Sequence, residues 1–238
     1  MSESDSAKAH GVRDMFGSIA GRYDFLNHFL SANIDKRWRR LCVLALERRL
    51  QTSDPRILDV GCGTADLAIA LAKTGRVVAC DFSLPMLSIG DRKVRESGLS
   101  ARARLAGADA LSLPFRADSF DAVASAFVLR NLADLHAGLR EMHRVLRPGG
   151  ALAALDFSMP SIPIFREIYG FYFSQVLPRV GRWISGVEGP YRYLPESVKS
   201  FPEPECIALR IADAGFRDVS FRLLTGGIAV VFLAQKRT

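Results

Sequence analysis

Short apolar runs alternate with amphipathic stretches along most of the chain. Five of them, 56–61, 77–81, 103–106, 122–127 and 151–157, carry uninterrupted or nearly uninterrupted apolar character and predict strands. Between them, residues 66–73, 85–97 and 134–146 repeat their apolar positions at helical spacing. The last of these helices begins at Asp134 and runs to Arg147-Pro148-Gly149-Gly150, which reads as a stop followed by a turn. Ahead of the first strand, residues 12–50 are helical in pattern. Met15, Ile19 and Tyr23 share one face, and Trp38, Leu41, Leu44 and Leu46 continue an apolar stripe after a break near 31–35.

After the fifth strand the rhythm changes. Residues 158–203 contain no clear strand but hold Phe165, Tyr169, Phe171, Tyr172, Phe173, Trp183, Tyr191 and Tyr193. A helix at 205–214 follows, then two closing strands near 218–224 and 228–234, joined by Thr225-Gly226-Gly227 as an antiparallel hairpin. Apolar strands joined by helices bury both faces, so the expected class is α/β, a doubly wound, mostly parallel seven-stranded sheet ending in an antiparallel pair. The expected organisation is one domain over 1–238, with an N-terminal helical cap at 12–50 and an aromatic-rich insertion at 158–203 beside the carboxyl ends of the strands.

Composition narrows the classes further. The chain has 238 residues, 49% hydrophobic and 24% charged, within the range of an ordinary globular domain, which excludes collagen, coiled coil and disorder. Its net charge of +7 favours anionic partners such as phosphate, nucleic acid or lipid headgroups. The first ten residues lack the apolar core of a signal peptide, and no apolar stretch reaches the roughly 20 residues of a membrane span. Cys42, Cys62, Cys80 and Cys206 are scattered, without a CxxC pair or a histidine cluster, and read as reduced, mostly buried thiols of a cytoplasmic protein without a metal site.

The segment Ile57-Leu58-Asp59-Val60-Gly61-Cys62-Gly63-Thr64-Ala65-Asp66-Leu67 carries the first chemistry. A strand enters a glycine pair and then a helix, the arrangement that brings backbone close to a bound nucleotide. The third glycine of a dinucleotide fingerprint is replaced by Asp66, and a carboxylate there would repel a pyrophosphate. Asp59 and Asp66 suit a cofactor with a positive centre and no phosphate, which points to S-adenosylmethionine. Asp81, twenty residues after Gly61, can accept from both ribose hydroxyls, as it could in a nicotinamide site. Asp109 and Ala110, after strand three, are placed to meet an adenine ring, although an aspartate in such a loop also serves as a cap. Thr64 in the glycine loop and Ala126 at the end of strand four complete the expected cofactor-binding set.

Exocyclic-amine methylation of nucleic acid commonly uses an Asn/Asp-Pro-Pro-aromatic turn after strand four, where this chain has Ser125-Ala126-Phe127-Val128-Leu129-Arg130-Asn131-Leu132. No cysteine lies in the segment directly after strand four or strand five to act as a cytosine-attacking thiolate. The cluster Lys36-Arg37-Trp38-Arg39-Arg40 fits a solvated helix face as well as a groove binder. No nucleic-acid partner is expected.

Other segments carry a resemblance. Met15-Phe16, Ile19-Ala20, Arg22-Tyr23-Asp24, Asn27, Asp35 and Trp38-Arg39 resemble the N-terminal signature of the menaquinone and ubiquinone biosynthesis C-methyltransferases. So do Phe127 to Asn131, Val176-Leu177-Pro178-Arg179-Val180-Gly181, Tyr191-Arg192-Tyr193-Leu194 with Glu196-Ser197, and Thr225 with Gly227-Ile228. The resemblance runs from about Val12 to the end; Ala65 and Cys62 are its modest departures in the glycine loop. It implies a Rossmann-like S-adenosylmethionine-dependent methyltransferase that methylates a ring carbon of a polyprenylated quinol, demethylmenaquinol foremost and the ubiquinone-pathway benzoquinol as well. In that chemistry a phenolic proton is lost and the activated ring carbon takes the methyl group in line, so positioning dominates.

For the acceptor end, Arg130 and Asn131 after strand four, with Tyr23 closing from the N-terminal helix, are the expected catalytic residues. Arg130 would stabilise a phenolate or order a water, because a guanidinium does not act as a base. Tyr193 and Arg192 are second candidates, and His143 reads as structural. The aromatic insertion is placed to cover a flat apolar ring, and a basic protein without an anchor can meet a membrane-dissolved substrate, transiently and peripherally, through anionic headgroups at the inner face. A homodimer through the insertion stays open. Another phenolic, sterol-like or polyketide acceptor, or a module that binds without chemistry, are the competing readings.

Overall fold

In the computed structural model, residues 33–160, 166, 167, 169, 170 and 189–238 are described. The order of elements is α1 (Ile34–Glu47), β1 (Arg56–Val60), α2 (Asp66–Leu71), β2 (Arg76–Asp81), α3 (Leu84–Glu96), β3 (Ala103–Gly107), β4 (Phe120–Ala126), α4 (Leu135–Val145), β5 (Leu146–Phe157), α5 (Gly189–Ser200), α6 (Pro204–Asp213), β6 (Phe216–Leu224) and β7 (Ala229–Lys236). The strands form one seven-stranded sheet in the order β3-β2-β1-β4-β5-β7-β6. All neighbours pair in parallel except β7, which runs antiparallel to both β5 and β6.

Alternation along β1 explains the two layers. Ile57 faces a cluster with Trp38, Cys42 and Leu46 of α1, Leu67 and Leu71 of α2, and Leu87 and Val94 of α3. Leu58 and Val60 face the opposite cluster with Leu139 and Met142 of α4 and Ile207 and Ile211 of α6. A sheet covered on both faces needs apolar residues on both sides of each central strand, as the runs in the sequence indicate. Strand order reverses between β1 and β4, so a crevice opens at their carboxyl ends.

Among the described residues the expected strands and helices are present, with two local differences. Arg147-Pro148-Gly149-Gly150 does not leave the sheet: Phe120 pairs with Leu146 and Ala122 with Ala151, so these residues are a bulge inside a long β5. Gly149, at φ 76°, provides the left-handed conformation the bulge needs. On α1 the buried stripe is Trp38, Cys42, Val43 and Leu46, while Leu44 is 41% exposed. Four-residue steps from Trp38 define that face, and Leu44 falls off it. Of the cysteines, Cys206 is exposed and the other three are buried; burial pushes the Cys42 and Cys80 thiols up to about 12. Residues 12–32 of the expected N-terminal cap, with Tyr23, lie outside the described residues, as does the middle of the 158–203 insertion. Among the described residues no helix is long and apolar enough to cross a membrane, and no group of three or more His, Cys, Asp or Glu could hold a metal ion.

Candidate active site

The glycine loop turns directly from β1 into α2. Gly61 and Gly63 have φ values of 69° and 52°, and Ala65 takes 69° at the start of α2, so three left-handed residues tighten the turn. The N–H groups of Gly61 and Cys62 both donate to the Cys80 carbonyl, at 2.8 and 2.9 Å, which ties the loop to the end of β2. The two glycines have different surroundings. A Cβ on Gly61 would lie 2.4 Å from Val128 Cγ2, whereas a Cβ on Gly63 would meet no atom within 4 Å. Gly61 is therefore packed against the segment after β4, and Gly63 borders open space.

Asp81 ends β2 and is 8% exposed. Its carboxylate accepts from the Gly63 N–H at 2.8 Å and the Ser83 N–H at 2.9 Å, so it stabilises the loop and the start of α3 together. Burial pushes its pKa up, and these backbone donors pull the other way. Asp59 is fully buried beneath the loop, and neither carboxylate oxygen makes a hydrogen bond of ordinary geometry. Burial raises its pKa to about 8, opposed chiefly by the Arg39 guanidinium and partly by the Ala68 amide that faces it from the first turn of α2.

Asp66 behaves differently from the sequence expectation. Its carboxylate pairs with Lys93 of α3, so it contributes little net negative charge at the loop mouth. Asp109 is exposed and accepts from the Leu111 N–H at 2.9 Å, the local turn that was the structural alternative for it. Ala110 is half-buried and packs against the cluster on the α4 face. Thr64 is buried and lies 3.3 Å from Lys93 Nζ through its hydroxyl, and Ala126 is half-buried at the end of β4.

The acceptor end is built from more distant parts of the chain. After β4, Phe127 adopts φ 64°, and a one-turn 3-10 helix, Leu129–Asn131, follows. The Phe127 N–H donates to Leu155 O at 2.7 Å, holding that corner against β5. Arg130 Nη1 donates to Asp156 Oδ1 at 2.6 Å, with both side chains buried. Asn131 Nδ2 donates to the Phe127 carbonyl at 3.0 Å, and Tyr193 Oη on α5 donates to Asn131 Oδ1, also at 3.0 Å. Burial raises the Tyr193 pKa, with Arg130 pulling it down and Asp156 pushing it up.

Three rings floor this region. Phe127 and Phe157 have centroids 4.7 Å apart, and Trp38 stands edge-on to Phe157 at 5.9 Å. The Trp38 indole N–H donates to Thr225 Oγ1 at 2.8 Å, and the Arg39 guanidinium, paired with buried Asp35, lies 5.1 Å from the Phe127 ring. Asp35, Trp38, Phe127, Arg130, Asn131 and Thr225, dispersed in sequence, thus meet at the carboxyl ends of β4 and β5. Two residues central to this arrangement, Asp156 and Phe157, escaped the sequence reading. A lone acid at the end of an otherwise apolar strand was the signal available for Asp156. His143 packs edge-on against Phe216 at 4.9 Å, away from these strand ends, as a structural residue would.

The family model for the ubiE/COQ5 methyltransferase family matches residues 1–236. The chain belongs to that family. A demethylmenaquinone methyltransferase from Thermus thermophilus is 48% identical over 93% of this chain and 100% of its own length. A ubiquinone/menaquinone biosynthesis C-methyltransferase UbiE from a Geobacter species is 42% identical over 97% of this chain and 98% of its own length. Among solved structures, a SAM-dependent methyltransferase from Aquifex aeolicus superposes with a TM-score of 0.59 at 21% identity, covering 81% of this chain and 87% of that one. Another from Thermotoga maritima gives 0.62 at 18% identity, covering 94% and 99%. The fold is that of S-adenosylmethionine-dependent methyltransferases.

The residues at the glycine loop fit that cofactor. Open space faces Gly63, and the Ser83 and Ser125 hydroxyls are buried without a partner. The carboxylates of Asp59 and Asp81 are close at hand. Lys93 reaches the loop from α3 and is committed to Asp66 and Thr64.

Proposed function

We propose that this protein is an S-adenosylmethionine-dependent C-methyltransferase acting on a prenylated quinol, demethylmenaquinol foremost and the ubiquinone-pathway benzoquinol as well. The observation that carries the reading is a juxtaposition at the carboxyl ends of β1, β4 and β5. The glycine loop, with Asp59 and Asp81, opens beside a floor of Trp38, Phe127 and Phe157 that holds a buried guanidinium and the Asn131–Tyr193 pair. The names of related proteins, demethylmenaquinone methyltransferase and UbiE, support the same acceptor.

In this reading Gly61, Gly63, Thr64, Asp81, Asp109, Ala110 and Ala126 line the cofactor, with Asp59 beneath. Asp81 would exchange part of its backbone bonding for ribose hydroxyls, and Asp109 would turn from the Leu111 amide to the adenine edge. The bound cofactor supplies the methyl group. The chain itself orients the acceptor, excludes water and manages one phenolic proton. Aromatic faces at stacking distance bind a flat ring in a fixed plane, and burial of apolar area adds about 25 cal/mol per Å². Arg130 stabilises the negative oxygen that develops as the proton leaves, Asn131 fixes its direction, and Tyr23 closes the site from the N-terminal cap. The 158–203 insertion, which contributes Tyr193, covers the acceptor. Lys36, Arg37, Arg40 and Lys73 are exposed on the α1–α2 side and favour transient contact with an anionic membrane surface where such an acceptor is dissolved.

The test is turnover with labelled S-adenosylmethionine, offering reduced demethylmenaquinone and a demethylated ubiquinol precursor separately. Label in the naphthoquinol alone makes this a menaquinone enzyme, and label in both makes it dual. Tight cofactor binding without label in either product refutes the quinol acceptor.

A further inference from the structure

Asp156 has no place in the reading above, yet it is the most completely buried charge at the acceptor end, with 0% exposure. It is also the best bonded. Its Oδ1 accepts from Arg130 Nη1 at 2.6 Å and from its own neighbour's amide, Phe157 N–H, at 2.8 Å; its Oδ2 accepts from the Arg130 N–H at 3.2 Å. The carboxylate therefore grips Arg130 twice, at backbone and guanidinium. The guanidinium also lies against the stacked ring pair, with Cζ 5.1 Å from the Phe157 centroid and 5.9 Å from that of Phe127. One of its donors is left over: Arg130 Nε is buried and makes no hydrogen bond.

A buried N–H without an acceptor is costly, and more so on a charged group, so one that persists beside the carboxyl ends of β4 and β5 calls for a ligand atom. We infer that Asp156 is a positioning residue that aims Arg130, and that the atom which meets the acceptor's phenolic oxygen is Arg130 Nε. The proposal rests on the quinol reading and adds the donor atom and its orienting partner.

Charge balance supports the pairing. A lone guanidinium would oppose a cationic cofactor bound nearby, whereas the Arg130–Asp156 pair is neutral overall and still presents a directional N–H. The Phe127–Phe157 ring pair against one side of Arg130 adds to its stabilisation. Asp156 sits on β5, one of the central strands, so the aim of the guanidinium is fixed by the sheet and not by a loop.

The experiment is a double-mutant cycle between Arg130→Gln and Asp156→Asn. Three readouts follow each variant: quinol turnover, cofactor affinity by calorimetry, and the ionisation of a bound naphthol analogue by absorbance. The wild type is expected to hold the naphthol as its anion at a lower pH than free solution does. Each single variant loses about 100-fold in kcat, the scale of a misplaced catalytic group, with cofactor affinity changed less than about twofold. In the Arg130→Gln background, Asp156→Asn changes neither turnover nor naphthol ionisation, because it acts only through the arginine. An additive loss in the double variant, or an unchanged kcat in Asp156→Asn, overturns the assignment. If Asp156→Asn alone fails to fold because Arg130 is stranded, the double variant removes both buried charges and folds, and its comparison with Arg130→Gln decides. A wild type that turns over no quinol refutes the functional reading instead, and the naphthol titration then still tests the Arg130–Asp156 pair.

Discussion

The two halves of the crevice are built by opposite means. The cofactor half uses backbone: left-handed glycines, paired amides on the Cys80 carbonyl, and a single carboxylate, Asp81, that accepts from two more N–H groups. The acceptor half uses side chains from far-apart elements, joining α1 to the segment before β7 through Trp38 and Thr225, β4 to β5 through Arg130 and Asp156, and β4 to α5 through Asn131 and Tyr193. A backbone cradle is local in sequence and tolerates change in its surroundings. A side-chain network can be altered one residue at a time, which suits the half that must recognise a particular acceptor.

The contrast is broken most severely at Gly61, where the halves touch. Alanine there combines a left-handed φ with a Cβ 2.4 Å from Val128. The two penalties together are about 2–5 kcal/mol, and cofactor binding measured by calorimetry is expected to vanish. Gly63→Ala carries only the conformational penalty of about 1–2 kcal/mol, yet it fills the open side of the loop. It should therefore remain folded by thermal melting and lose most of its cofactor affinity. Adding Val128→Ala should recover part of the stability of Gly61→Ala and none of that of Gly63→Ala.

Asp59 sharpens the comparison next, because it is a cofactor-half residue answered electrostatically by Arg39 of α1. In the unfolded chain its pKa is about 4, and in the fold it is raised to about 8. The native state therefore holds a proton that the unfolded state has lost, and the contribution of Asp59 to stability falls as pH rises through that interval. Asp59→Asn removes the dependence. Urea unfolding of the cofactor-free protein should find the two proteins similar near pH 4, with the variant more stable by a few kcal/mol at about pH 8.5. Equal stability at both pH values would mean that Asp59 is accommodated as an anion after all.

The same division explains what could be read from the chain. Strand and helix periodicity exposed the sheet and its terminal hairpin, and the run from Asp59 to Asp66 exposed the loop because its parts are contiguous. Asp81 followed from a fixed spacing. The bulge at 147–150 was hidden because Pro-Gly-Gly has the same local chemistry in a turn and in a bulge, and only pairing with Phe120 and Ala122 decides between them. Asp66 looked like free negative charge because its partner, Lys93, is 27 positions away. Arg130, Asn131 and Thr225 were visible through resemblance, but the partner that organises Arg130 was not. Asp156 has no neighbouring motif, and its role exists only once β4 and β5 lie side by side.

The smallest effect is expected at the edge of the side-chain network. Tyr193→Phe keeps the ring on α5 and removes one hydroxyl, and with it the 3.0 Å bond to Asn131 Oδ1. Asn131 retains its second tie, from Nδ2 to the Phe127 carbonyl, so the amide stays in place but loses one constraint on its direction. A single neutral hydrogen bond is worth about 1 kcal/mol, which corresponds to a fall in kcat of roughly fivefold if the bond persists through the reaction. Cofactor affinity should not change, because no backbone group of the glycine loop depends on Tyr193. Steady-state kinetics with a quinol, beside calorimetry with the cofactor, separates the two halves directly. A loss of cofactor affinity in Tyr193→Phe would show that the side-chain half and the backbone half are one coupled unit, and the division drawn between them would fail at its weakest joint.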